Sequence, residues 1–165
     1  LKPPFQLKEG HTLDALEAAA SELAASLPPA QCDGLELMTL GRFLALIPSS
    51  DLGPLQRVAE DCVRELDEFR APAKDAELTR RRMAGLSPRQ EMLLTQWGYP
   101  YVMEEFRFHL TLSGRLSTEA LPHWAEILQC SLPTLPAPFV MDQIALCGER
   151  DDGKFELIHR YELTG

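Results

Sequence analysis

The order helix, strand, turn, strand occurs twice in this chain, and no other feature narrows the fold as much. Leu1 opens the first run and Leu112, 111 residues later, opens the second. In the first run, Leu13, Leu16, Ala20, Leu23 and Leu27 recur at helical spacing, with Thr12 as N-cap and Pro28-Pro29 as the stop. Leu35, Leu37 and Thr39 then alternate with polar or exposed neighbours, and Gly41 turns the chain into a second strand, 42–47, that Pro48 ends. In the second run, a helix from Ser117 or Thr118 should carry Leu121, Trp124, Ile127 and Leu128 inward, with Pro122 tolerated near its first turn. Strands at 139–147 and 155–163 follow, joined by a turn containing Asp152-Gly153.

Element order, rather than residue identity, carries this repeat. It predicts an α+β protein of two related lobes, 1–51 and 99–165, joined by a helical insertion at 52–98 into one compact unit. Leu55, Val58, Cys62, Leu66 and Phe69 mark one helix of the insertion. Another opens at Ser87-Pro88-Arg89-Gln90, where Ser87 caps, Pro88 suits the first helical position and Gln90 completes a capping box; Gly98 closes it. The offset also predicts that the counterpart of residues 109–111 lies just ahead of Leu1, and the lack of an initiator methionine suggests that the chain starts inside a longer gene product.

A chain of 165 residues can bury about 68–70% of its unfolded surface, so it needs no metal or disulfide staple. Its net charge of −9 and pI near 4.9 argue against long nucleic acids as partners, because their phosphates must meet a basic face. A small phosphate anion remains open to it, since a few local cations suffice for one phosphate. Cys32, Cys62, Cys130 and Cys147 stand far apart with no Cys-x-x-Cys pair, which predicts buried reduced thiols, no structural zinc and a cytoplasmic setting. No apolar run approaches the ~18 residues of a membrane span, and Leu1-Lys2-Pro3-Pro4 does not read as a signal peptide.

The chemistry concentrates in Phe106-Arg107-Phe108-His109-Leu110-Thr111-Leu112. Alternate side chains of a strand face opposite ways, so the apolar residues form one stripe for the core and Arg107, His109 and Thr111 line the other face. That row suits a phosphoester. Arginine neutralises charge and can bond two oxygens, threonine donates to a nonbridging oxygen, and histidine takes or gives a proton near neutral pH. A single His-x-Thr also arises often by chance, and a lone histidine is more commonly structural than catalytic.

The segment Gly98-Tyr99-Pro100-Tyr101-Val102-Met103-Glu104-Glu105, running on through Phe106 to Leu112, resembles the signature of a bacterial family linked to phosphonate metabolism, DUF1045 of the 2H phosphoesterase superfamily. Leu1-Lys2-Pro3-Pro4-Phe5 resembles the tail of that family's first signature, in which His-Ala-Thr comes immediately before. Gly41-Arg42-Phe43-Leu44-Ala45-Leu46 and Glu68-Phe69-Arg70-Ala71-Pro72 fit it too. The resemblance implies a bilobal fold in which two antiparallel sheets, with helices outside, face each other across a groove, each lobe giving one His-x-Thr. It implies metal-independent action without a cofactor on cyclic or 2′,5′-linked phosphodiesters. One histidine is then the general base, the other protonates the leaving oxygen, and the threonines hold the phosphate.

Only His109 and Thr111 match that motif here, so they are the expected catalytic pair. Lys2, Arg107, Tyr101 and Arg42 are expected substrate contacts; each has a bland alternative as an ion pair, a packing group or a solvated side chain. Tyr99 shares the reading given to Tyr101. Arg80-Arg81-Arg82 is expected on a solvated helix face, Glu104 and Glu105 as surface or hydrogen-bonding groups, and His123 and His159 at no site. His11-Thr12 lacks the intervening residue that would put both side chains on one face. The expected activity is hydrolysis of a small, cyclic phosphodiester in phosphonate breakdown, with a phosphoribosyl cyclic phosphate as candidate. The alternatives are processing of 2′,3′-cyclic or 2′,5′-linked RNA ends, and a phosphate- or nucleotide-binding module without turnover. The sequence carries no signal for oligomeric state.

Overall fold

The computed structural model describes residues 1–165 as a mixed α+β protein with five α-helices and three small sheets. In chain order the elements are α1 (Leu13–Ser26), β1 (Ala30–Cys32), β2 (Leu35–Leu40), β3 (Phe43–Pro48), α2 (Gly53–Glu65), α3 (Asp75–Arg82) and α4 (Pro88–Trp97). Next come β4 (Leu110–Thr111), α5 (Ala120–Ser131), β5 (Phe139–Met141), β6 (Gln143–Glu149) and β7 (Phe155–Glu162). The sheets are ordered β1-β5, β2-β3-β4 and β6-β7. No helix is long and apolar enough to cross a membrane.

The chain forms two compact units: Leu1–Pro29 with Gln56–Phe106 and Met141–Gly165, and Ala30–Leu55 with Arg107–Val140. They do not follow the linear order 1–51, 52–98, 99–165, because each unit takes its helix from one repeat and its hairpin from the other. In the first, α1 packs on β6 and β7. In the second, α5 packs on β2 and β3.

The first unit holds a core of Val63, Leu93, Val102 and Met103, with Trp97 and Tyr99 against it. Local sequence chemistry sets its helices. Thr12 Oγ1 accepts from Ala15 N–H at 3.2 Å and starts α1. Ser87 and Gln90 form a reciprocal capping box on α4, and Gly98 ends that helix in the left-handed region at φ 74°. The positive φ favours glycine there, and a Cβ on Gly98 would sit 2.9 Å from Arg70 Nη1 and push that guanidinium aside. Arg70 in turn bonds Asp67 with Nε (2.7 Å) and Nη2 (3.0 Å), and Nη2 reaches Gln96 O at 3.1 Å. Leu7 pairs with Arg70 in an isolated bridge that ties the N-terminal segment to this corner.

Several expectations need correction. The helix expected from Leu55 to Phe69 ends at Glu65, and Asp67–Phe69 forms a 3-10 turn. The strand expected at 139–147 breaks at Asp142 into β5 and β6. The apolar side of α5 is not buried: Trp124 is 46% and Ile127 37% exposed, while Leu121 and Leu128 are half-buried. The thiols are free, but only Cys32 and Cys62 are buried; Cys130 and Cys147 are exposed.

Candidate functional site

β4 is far shorter than the alternation at 106–112 suggests. It pairs antiparallel with β3 through Ala45 opposite Thr111 and Leu46 opposite Leu110. Continuing that register would set Phe108 against Pro48, which has no N–H to donate, so the ladder cannot run on. The apolar stripe is correspondingly open, with Phe106 and Phe108 half-buried but Leu110 and Leu112 exposed. Leu112 N–H still bonds Leu44 O at 2.9 Å, and Ser113 Oγ accepts from Leu44 N–H at 3.0 Å. These bonds hold the end of β4 against β3.

His109 and Thr111 are both exposed. His109 Nδ1 lies 2.8 Å from Arg107 O. A carbonyl oxygen can only accept, so Nδ1 carries the proton and the imidazole leaves Nε2 to exchange one. The ring leans on Phe43 at a centroid distance of 5.7 Å, tilted by 45°. A backbone bond and an aromatic wall thus fix its orientation. The Thr111 hydroxyl, two residues on, has no protein hydrogen-bond partner within this unit and can donate to an oxyanion.

The expected substrate contacts fare differently. Arg107 is exposed, and its carbonyl orients His109. Arg42 Nε donates to Leu116 O at 2.9 Å and the Arg42 carbonyl accepts from Leu116 N–H at 2.7 Å, which fastens the β2–β3 turn to the loop after β4. Tyr101 belongs to the other unit, where it is exposed and packs edge-on to Tyr99 at 5.7 Å. Lys2 is largely buried there: its Nζ bonds Asp67 Oδ1 and Val63 O, both at 3.0 Å. Burial lowers the Lys2 pKa despite its partner. Burial would raise that of Asp67, but hydrogen bonds from Arg70 and Lys2 outweigh it and hold the carboxyl below its usual range.

Other residues settle into packing or surface roles. Arg81 is bound to Glu77 and lies over the Tyr99 ring at 4.5 Å, and Arg82 is bound to Glu91. The solvated face expected at residues 80–82 therefore keeps only Arg80 unpaired within its unit. Glu104 bonds Arg89, and Glu105 accepts from Gln90. His11 packs edge-on to Phe69, and His159 lies against Tyr161. No group of three or more His, Cys, Asp or Glu side chains is placed to hold a metal ion.

Residues 1–156 match the profile of a family described as "Protein of unknown function (DUF1045)". The chain belongs to the DUF1045 family. Among curated proteins, this DUF1045 chain is similar to "Ribose 1,5-bisphosphate phosphokinase PhnN" of Janthinobacterium sp. (strain Marseille), with 41% identity over 123 residues, 74% of this chain and 26% of that protein. It is also similar to the protein of the same name from Laribacter hongkongensis (strain HLHK9), with 36% identity over 126 residues, 75% of this chain and 28% of that protein. The DUF1045 chain thus spans about a quarter of the length of these relatives. No solved structure matches it.

Proposed function

We propose that this DUF1045 chain carries half of a phosphoesterase site that hydrolyses a small cyclic phosphodiester of a sugar phosphate in phosphonate metabolism. The observation that carries this reading is the exposed pair at 109 and 111: an imidazole turned by its own backbone so that Nε2 can exchange a proton, beside an uncommitted hydroxyl. The family membership and the relatives' names, which speak of a ribose bisphosphate, supply the substrate class.

In such a hydrolysis water attacks phosphorus and a ring P–O bond breaks on the opposite side. The attacking water must lose a proton and the departing oxygen must gain one, while negative charge grows on the nonbridging oxygens. His109 Nε2 performs one of the two proton transfers, Thr111 bonds a nonbridging oxygen, and Arg107 neutralises charge. Lys2 is left out of this set, because Asp67 and Val63 already hold its ammonium.

The second transfer needs a second group, and the 111-residue repeat supports a position for it beside β7, as His109 stands beside β3. The offset sets Leu1 on Leu112 and Phe155 on Leu44. Leu112 is hydrogen-bonded to Leu44, and Leu1 and Phe155 line one cavity. A strand continuing back from Leu1 would then run along β7, whose residues Phe155–Arg160 are all exposed.

A kinase activity like that named for the relatives has weaker support in this chain. Gly148-Glu149-Arg150-Asp151-Asp152-Gly153-Lys154-Phe155 spells most of a phosphate-binding loop, G-x-x-x-x-G-K. Phe155, however, stands where Ser or Thr must hold Mg²⁺, and the segment closes the β6–β7 hairpin instead of opening a helix. A binding module without turnover is the better rival, because an exposed imidazole, hydroxyl and guanidinium can hold a phosphate without a second proton-transfer group.

The test is steady-state hydrolysis of a ribose cyclic phosphate by the full-length protein. His109→Ala should lower kcat by about 10²–10⁴-fold, as for loss of one acid/base group. Thr111→Val should lower it roughly 10- to 100-fold and Thr111→Ser should restore most of it, as expected for one hydrogen bond to a charged oxygen. Undiminished turnover in His109→Ala would overturn the proposal, and phosphate binding without turnover in the wild type would establish the binding module.

A further inference from the structure

The cavity beside α3 shares no residue with the pair at 109 and 111. It lies wholly within the first unit and has a volume of about 570 Å³, inside the 300–1,000 Å³ typical of small-ligand sites. Its basic lining comes from Lys74, which caps α3, and from Arg80 and Arg81 in the last turn.

These cations are not equivalent. Arg81 is committed, with Nε 3.2 Å and Nη2 2.6 Å from Glu77 Oε1 and its guanidinium over Tyr99. Lys74 and Arg80 pair with no carboxylate in their unit. In a chain of 25 acidic and 16 basic residues, the cavity lining holds three basic side chains against two acidic ones, Glu77 and Glu149, and two of the three cations are unpaired. The Arg81–Glu77 pair forms a fixed wall beside them, and Arg80 retains its fork of donors for a phosphate.

The remaining lining departs from a plain anion site. Glu149 pairs with no cation in its unit, and Gln6 offers an amide oxygen and two N–H donors. A carboxylate repels a bare phosphate but accepts hydrogen bonds from hydroxyls. Phe5 and Phe155 supply apolar surface, which suits the C–H face of a sugar ring. Phosphate, hydroxyls and an apolar ring face occur together in phosphorylated polyols.

The geometry points to a second binding site, in the cavity at α3, for a small phosphorylated sugar. Lys74 and Arg80 take the phosphate, Glu149 and Gln6 take hydroxyls, and Phe5 and Phe155 contact the ring. This site is independent of the proposed hydrolysis and survives if that reading fails.

Isothermal titration of the full-length protein with ribose 5-phosphate, ribose and inorganic phosphate tests it. Ribose 5-phosphate should bind, more weakly at high salt, and Lys74→Ala/Arg80→Ala should raise its Kd at least tenfold. Those two substitutions should change kcat on the cyclic phosphodiester less than twofold, whereas His109→Ala should do the reverse. Glu149→Gln should weaken ribose 5-phosphate but not inorganic phosphate, and Arg82→Ala, bound to Glu91 outside the cavity, should change neither. An unchanged Kd in Lys74→Ala/Arg80→Ala would overturn the site, and inorganic phosphate binding as tightly as ribose 5-phosphate would overturn the sugar.

Discussion

His109 owes its ring orientation to a bond made two residues back. Spacing in the sequence puts imidazole and hydroxyl on one face, but it carries nothing about which ring nitrogen is free; that depends on Arg107 O turning toward Nδ1. Lys2 shows the converse. Its charge made it a plausible phosphate contact, and only the folded chain brings Val63 and Asp67, distant in sequence, to its ammonium. The cysteines give a direct check at this scale. Burial pushes the Cys62 thiol up to about 11, and Cys130 and Cys147 are exposed. Iodoacetamide at pH 8 should therefore label Cys130 and Cys147 in the native protein and spare Cys62 and Cys32, because only thiolates at accessible sites react. Mass spectrometry of the labelled peptides reads the result, and rapid labelling of Cys62 would contradict its placement.

Among the elements, those specified by adjacent residues were legible and those specified by partners were not. The termini of α4 follow from Ser87, Gln90 and Gly98, and the β2–β3 turn from Gly41, which sits at φ 60°. The extent of β4 depends on Pro48, far away in the chain, and the openness of α5 depends on how much surface lies over it. Periodicity identifies which side of a helix is apolar without fixing its coverage. β1, three residues long, is too short to show a pattern. Leu93 and Trp124 separate pattern from packing. Leu93→Ala removes a side chain that is 1% exposed and should cost about 2–5 kcal/mol in urea unfolding. Trp124→Ala, on a helix without a buried residue, should stay much closer to the ±0.5 kcal/mol of ordinary surface changes.

At the scale of the molecule, net charge and ion-pair placement govern the response to acid. The depressed pKa of Asp67 means that its carboxylate stabilises the fold above the unfolded-state value of about 3.9. That contribution falls away as pH drops through the lower folded-state value. We read the effect at Asp67 rather than Lys2, because the carboxylate serves two cations while burial works against the ammonium. Asp67→Asn should lower the urea midpoint at pH 7 and flatten its decline below about pH 4. An equally steep decline in the variant would show that other carboxylates carry the transition.

The interleaving of the two units has a consequence for how the protein comes into being. α1 leaves the ribosome well before β6 and β7, yet the sheet it packs on ends at Glu162, and Thr164 N–H reaches back to Ala24 O. The nascent helix must wait until β7 has been translated before its apolar face is covered. A message cut short anywhere before β7 leaves that face exposed, so incomplete products are natural clients for chaperones and proteases.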